Sequence, residues 1–192
     1  QFDISKIDFE LLSREFAHTR RKNLLLRDLD ELVNQQLAKM LFANPQRIDY
    51  YDRYQEIIDA YNAEQNRATI EKTFMDLMEL ASSLDMEQQR YVREGFSSDE
   101  ELSVYDLLFS ENLTKQEIET IKKVSVDLLT KIKQQIAKLD HWTDKQETKA
   151  IVDNLIRNTL WQELPNSYDV SDIQTYQKKI YEYVYMRYPE VA

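Results

Sequence analysis

His18 and His141 are the only histidines in the sequence, and neither stands in a metal-ligand spacing such as H-E-x-x-H. With no cysteine beside them, they do not supply the closed ligand set of a protein metal site. Glu147-Thr148-Lys149 raises a different chemistry. In the E-x-K spacing of a large nuclease class, carboxylates hold Mg²⁺ and the lysine stabilises charge developing at a phosphate. That chemistry requires the motif on a strand, with an aspartate on a neighbouring strand. Here it falls inside an amphipathic helical segment, so the residues are read as a solvated helical face. No glycine-rich phosphate loop and no serine or cysteine in a nucleophile setting accompanies them. The sequence is therefore read as having no catalytic residue, no cofactor-binding residue and no metal ligand of its own.

Two other groups could make contacts rather than break bonds. Arg14, Arg20, Arg21, Lys22 and Arg27, with His18 among them, form the one basic cluster and are the candidates for contact with DNA phosphates. Glu10, Glu15, Asp28, Asp30 and Glu31 flank them, so salt bridging along a helix competes with that use. Near the C-terminus Tyr176, Tyr181, Tyr183, Tyr185 and Tyr188 crowd together with Ile173, Ile180 and Val184, more than one helical stripe can hold. Ile173, Tyr176, Ile180 and Val184 fit the inward stripe at steps of three and four. Tyr181, Tyr185 and Tyr188 are then the outward candidates for docking a partner, a task for which tyrosine is favoured.

The elements that must position these residues are helices. One glycine and three prolines in 192 residues leave almost no material for hairpin turns and bulges. Leu25, Leu29, Leu32, Val33, Leu37, Met40 and Leu41 mark one long helix that ends where Pro45 restricts Asn44. Ile48, Tyr51, Tyr54, Ile58 and Tyr61 mark a second, and Ile70, Phe74, Leu77, Ala81 and Leu84 a third. Ser98 with Glu101, Thr114 with Glu117, Thr143 with Gln146 and Ser171 with Gln174 read as capped starts of four more. After Thr114, Ile118, Ile121, Ser125, Leu128, Ile132, Gln135 and Leu139 follow an approximate heptad with two polar interruptions. The expected fold is all-α, an elongated bundle of mostly antiparallel long helices. The domain reading is one helical domain over 1–192, with leading helices over 1–66, read as a possible linker from another domain, and the main bundle over 67–192.

Gly95, the only glycine, lies between a helix through Tyr91 and Val92 and the start at Ser98. It is read as a left-handed helix cap, with Phe96 placed to touch Tyr91. Net charge is −10, the wrong sign for a domain dedicated to phosphates, so any contact with DNA is local. The absence of cysteine fits a reducing cytoplasm, and no apolar run reaches the length of a membrane span. The sequence opens at Gln1 without a start signal and is read as a piece of a longer polypeptide.

Three strings, "NPQRIDYYDRYQEIIDAYN", "EGFSSDEELSVYDLLF" and "DHWTDKQETKAIVDNLIRNTLWQELPNSYD", carry a further signal. In order and spacing they resemble the C-terminal helical domain of type I restriction enzyme R subunits, over nearly the whole chain. The matching positions are Tyr61-Asn62, then Gly95, Glu101, Leu102, Asp106, Leu107 and Leu108, then Leu164, Pro165 and Tyr168. Phe96 departs from the leucine that the family pattern places there. The resemblance implies a parent enzyme that translocates and cleaves DNA with ATP and Mg²⁺, using nuclease and motor domains N-terminal to this region. It implies that the region assembles with the methyltransferase core of modification and specificity subunits and meets DNA through that complex. The rival expectation is a helical segment that guides duplex DNA during translocation through the Arg14 to Arg27 cluster.

Overall fold

The computed structural model describes residues 7–64 and 66–189; Gln1, at which the sequence opens, lies outside them. All regular elements among these residues are helical. They are α1 (Phe9–His18), α2 (Lys22–Ala43), α3 (Ile48–Ala63), α4 (Arg67–Gln88), α5 (Arg90–Arg93), α6 (Asp99–Leu108), α7 (Lys115–Ile136), α8 (Gln146–Glu163) and α9 (Val170–Arg187), with a 3-10 turn at Pro45–Arg47. The chain forms two compact units, 1–93 and 94–192.

In the first unit α4 packs on both α2 and α3. Ion pairs fix the directions. Lys22 at the start of α2 meets Glu71 near the start of α4 at 2.6 Å, and Arg47 just beyond α2 meets Glu87 near the end of α4 at 3.0 Å. The two helices therefore run the same way, and α3 runs back between their ends. Leu29, Val33, Leu37, Phe74, Leu77, Ala81 and Leu84 form the core, and the Phe16 ring ties α1 to it by stacking on Phe74 with centroids 3.6 Å apart. The stripe on α3 is shifted from the expected one: Ile48 and Tyr51 are exposed, while Tyr50, Ile57 and Ile58 pack inward beside the buried Tyr54. The reason is polar. Tyr54 Oη donates to Asp30 at 2.7 Å and Tyr50 Oη to Glu87 at 3.5 Å, and those partners set the rotation of the helix. The division read after residue 66 falls inside this unit, because α3 and α4 form an antiparallel pair and α4 completes the core of α2.

In the second unit α6 packs on α7, α7 on α8, α8 on α9, and α9 returns to α6, closing a four-helix ring. Ile121, Val124, Leu128, Ile132, Val152, Ile156, Leu160, Ile180 and Val184 fill its centre. The heptad interruption at Ser125 is buried with its polar group satisfied, since its hydroxyl donates to the Ile121 carbonyl at 2.7 Å. Leu139, the last residue of that stripe, lies beyond the end of α7.

Helix starts separate into those the sequence specifies and those it conceals. Thr114 and Glu117 make a full capping box, each side chain bonded to the other's backbone N–H. Ser98 accepts from the Glu101 N–H at 3.3 Å, but the Glu101 carboxylate accepts from Ser97 rather than from Ser98. The start expected at Ser171 lies earlier: Asp169 caps α9 and is paired reciprocally with Asp172. An aspartate N-cap with an acidic residue three positions on does the same work as the Ser–Gln pair. Thr143 caps nothing; α8 begins at Gln146, preceded by Lys145 with no side-chain cap. The Asp144 N–H is already used by the His141 carbonyl, which holds that stretch as a turn.

Candidate functional site

The tyrosines of α9 gather around a side chain that no periodicity marks. Trp142, in the turn before α8, is almost fully buried, and its indole N–H donates to the Tyr188 carbonyl at 2.6 Å. Tyr181 and Tyr185 meet it edge-on, with centroids at 6.2 and 5.7 Å. Of the three tyrosines placed outward, Tyr185 is exposed, Tyr181 is half-buried, and Tyr188 turns its hydroxyl inward. The Tyr188 ring lies edge-on to the buried Tyr183, under the Lys133 ammonium at 5.3 Å, and burial pushes its phenol well above the ordinary value, with the charge of Tyr183 and then of Glu100 adding to the rise. The inward stripe is corrected as well, since Tyr183 takes the core position and Tyr176 is half-buried against Tyr168. Tyr188 leaves the helical phase because it is the C-terminal cap of α9 rather than part of its last turn.

The outward face of α8 has a different character. Its buried stripe is Val152, Ile156, Thr159 and Leu160, and at 100° per residue Trp161 points the opposite way. Trp161 is 59% exposed and Ile151 43%. Along the same exposed side stand Ala150, Asn154, Arg157 and Asn158, with Arg157 donating to Asn154 Oδ1 at 2.7 Å. From Ala150 to Trp161 this side therefore carries a single charge, in a chain where 31% of residues are charged. Low charge with Trp and Arg present is the composition of an interface centre rather than of a solvated surface.

Glu147 and Lys149 lie in the first turn of this helix, not on a strand. Lys149 is spread over the Tyr185 ring at 5.8 Å, and Thr148 Oγ1 donates to the carbonyls of Trp142 and Lys145. His18 ends α1 and His141 sits in the turn before α8. No group of three or more metal-ligating side chains occurs among the described residues. No helix among them is long and apolar enough to cross a membrane.

The basic cluster is split by the fold. Arg14 pairs with Glu10 at 3.5 Å along α1, and Arg27 with Asp28 at 3.8 Å along α2. Lys22 shares the Glu71 carboxylate with Arg67, and that carboxyl is held below its ordinary value by Lys22 and then by Arg67. Arg20 and Arg21 occupy the turn between α1 and α2, where the Arg21 N–H donates to Thr19 Oγ1 at 3.1 Å. With Lys22 and Arg67 they line a cleft of about 600 Å³.

The family model for the C-terminal region of type I restriction enzyme HindI endonuclease subunit-like proteins matches residues 1–188. The chain belongs to that family. No curated protein and no solved structure matches it.

In this C-terminal domain of the endonuclease-subunit family, the two later strings that carry the resemblance are joined in space within the second unit. Tyr168 Oη donates to the Leu108 carbonyl at 2.7 Å, tying the segment after Leu164-Pro165 to the end of the Asp106-Leu107-Leu108 helix. Burial raises the Tyr168 phenol, which keeps it a donor. Gly95 has φ +84°, in the left-handed region, and Phe96 packs its ring on Tyr105 with centroids 5.4 Å apart. The residues missed by sequence reasoning are Trp142 and Trp161. Trp142 gives no signal because its neighbours are polar. Trp161 gives one that was legible: it is the single large aromatic on the wrong side of the Val152-Ile156-Leu160 stripe.

Proposed function

We propose that this domain is a non-catalytic assembly module that docks the endonuclease subunit of a type I restriction enzyme onto the methyltransferase core of modification and specificity subunits. The supporting observation is the outward face of α8, where Trp161 and Ile151 stand exposed on a strip with one charge. The cost of exposing such a tryptophan is recovered when a partner covers it. ATP, Mg²⁺ and bond cleavage belong, on this reading, to other parts of the subunit, and the complex works in the cytoplasm.

The test is co-purification of the chain with the modification subunit, without the rest of the endonuclease subunit. The pair should be retained together by the wild-type chain and not by Trp161→Ser, at an unchanged melting temperature. Retention that is indifferent to Trp161 would move the interface off α8. Cleavage of DNA by the chain with Mg²⁺, abolished in Glu147→Gln or Lys149→Ala, would overturn the non-catalytic reading.

A further inference from the structure

We propose that the cleft between the α1–α2 turn and the start of α4 binds phosphates of duplex DNA, with Arg20 and Arg21 as the principal contacts. The cleft is lined by four cationic residues, Arg20, Arg21, Lys22 and Arg67, and two of them, Lys22 and Arg67, share the carboxylate of Glu71. This local excess of positive charge stands out in a chain whose net charge is −10. Lys22 and Arg67 are held on Glu71, whereas Arg20 and Arg21 have no ion-pair partner among the described residues. Arg14 and Arg27, by contrast, are engaged by acids on their own helices. The fold thus keeps two adjacent guanidinium groups available and supports them with a third and an ammonium at the wall.

A guanidinium presents paired N–H donors that match the oxygens of a phosphate, and adjacent arginines can engage successive phosphates of one strand. Arg20 and Arg21 are exposed rather than enclosed, which suits the backbone of a long polymer passing over the cleft better than a small anion that must be engulfed. Membership in an endonuclease-subunit family makes DNA the polymer to which the site is assigned. The cleft belongs to the first unit and the face of α8 to the second, so either assignment can fail without the other.

Fluorescence anisotropy with a labelled duplex of about 20 base pairs, titrated at several salt concentrations, tests it. The wild-type chain should bind at low salt with an affinity that falls steeply as salt rises. Arg20→Ala/Arg21→Ala should weaken binding about tenfold or more and reduce the slope of log affinity against log salt by about 2. Arg20→Lys/Arg21→Lys should keep most of the slope, and Arg14→Ala/Arg27→Ala should stay within about twofold of wild type. All variants should melt as wild type does. Absence of duplex binding, equal loss in the Arg14/Arg27 control, or wild-type binding by the Ala/Ala variant would each overturn the proposal. So would binding of inorganic phosphate that duplex does not displace.

Discussion

Gly95 takes φ +84°, and a Cβ added there would meet no atom within 4 Å. The cost of any substitution is therefore confined to the backbone. Gly95→Val should destabilise the fold by about 1 to 2 kcal/mol, because a β-branched residue resists the left-handed region. Gly95→Asn should cost less, and thermal melts of the two variants check the order. The need for a left-handed residue was legible because one glycine stood between two helical patterns. The contact of Phe96 was not, since its partner Tyr105 lies in the next helix and is fixed by packing of the second unit. The cluster of buried Arg47 and Glu87 with half-buried Arg90 was equally hidden: Glu87 accepts from both guanidinium groups at 3.0 Å, though the residues are spread over two helical segments and a turn. Nothing in the spacing of charged residues distinguishes such a buried cluster from a solvated one.

Helices themselves were largely legible, because their apolar periods and their caps agree. Where the sequence misled, the competing donor or acceptor is identifiable: Asp169 for Ser171, and the 141–144 turn for Thr143. The box at Thr114 also leads to a pH dependence. The Glu117 carboxyl is held at about 2 by the hydroxyl of Ser167 and then by Thr114, against an ordinary value of 4.5. Its pKa is depressed on folding, so its contribution is complete above pH 4.5 and is lost as pH falls toward 2. Glu117→Gln should therefore lower the melting temperature at about pH 6 and narrow its gap to wild type as the solution is acidified through that window. The tyrosines of α9 give a second element-scale prediction. Tyr181 and Tyr185 cover Trp142, so Tyr181→Ser/Tyr185→Ser should cost about 1 to 3 kcal/mol of stability, visible as a lower melting temperature. An unchanged melt would return those rings to the role of free docking residues.

At the scale of the whole molecule, the all-helical class followed from the scarcity of glycine and proline together with the helical periods. The partition into units 1–93 and 94–192 did not, because α4 resembles the later helices in composition and its place is decided by the core it completes with α2. The docking surface was sought on the helix richest in tyrosine. It is better supported on α8, where the exposed residues are few, weakly charged and include Trp161. The crowded aromatics of α9 gather around the buried Trp142 and Tyr183, while Trp161, off the stripe of α8, stands exposed. Calorimetric titration of the chain into the purified modification–specificity complex, at low and high salt, tests the central claim most directly. Saturable binding that changes little with salt and weakens by about 2 kcal/mol, roughly thirtyfold, in Trp161→Ala is the predicted result. Absence of binding, or full wild-type affinity in Trp161→Ala, would contradict it.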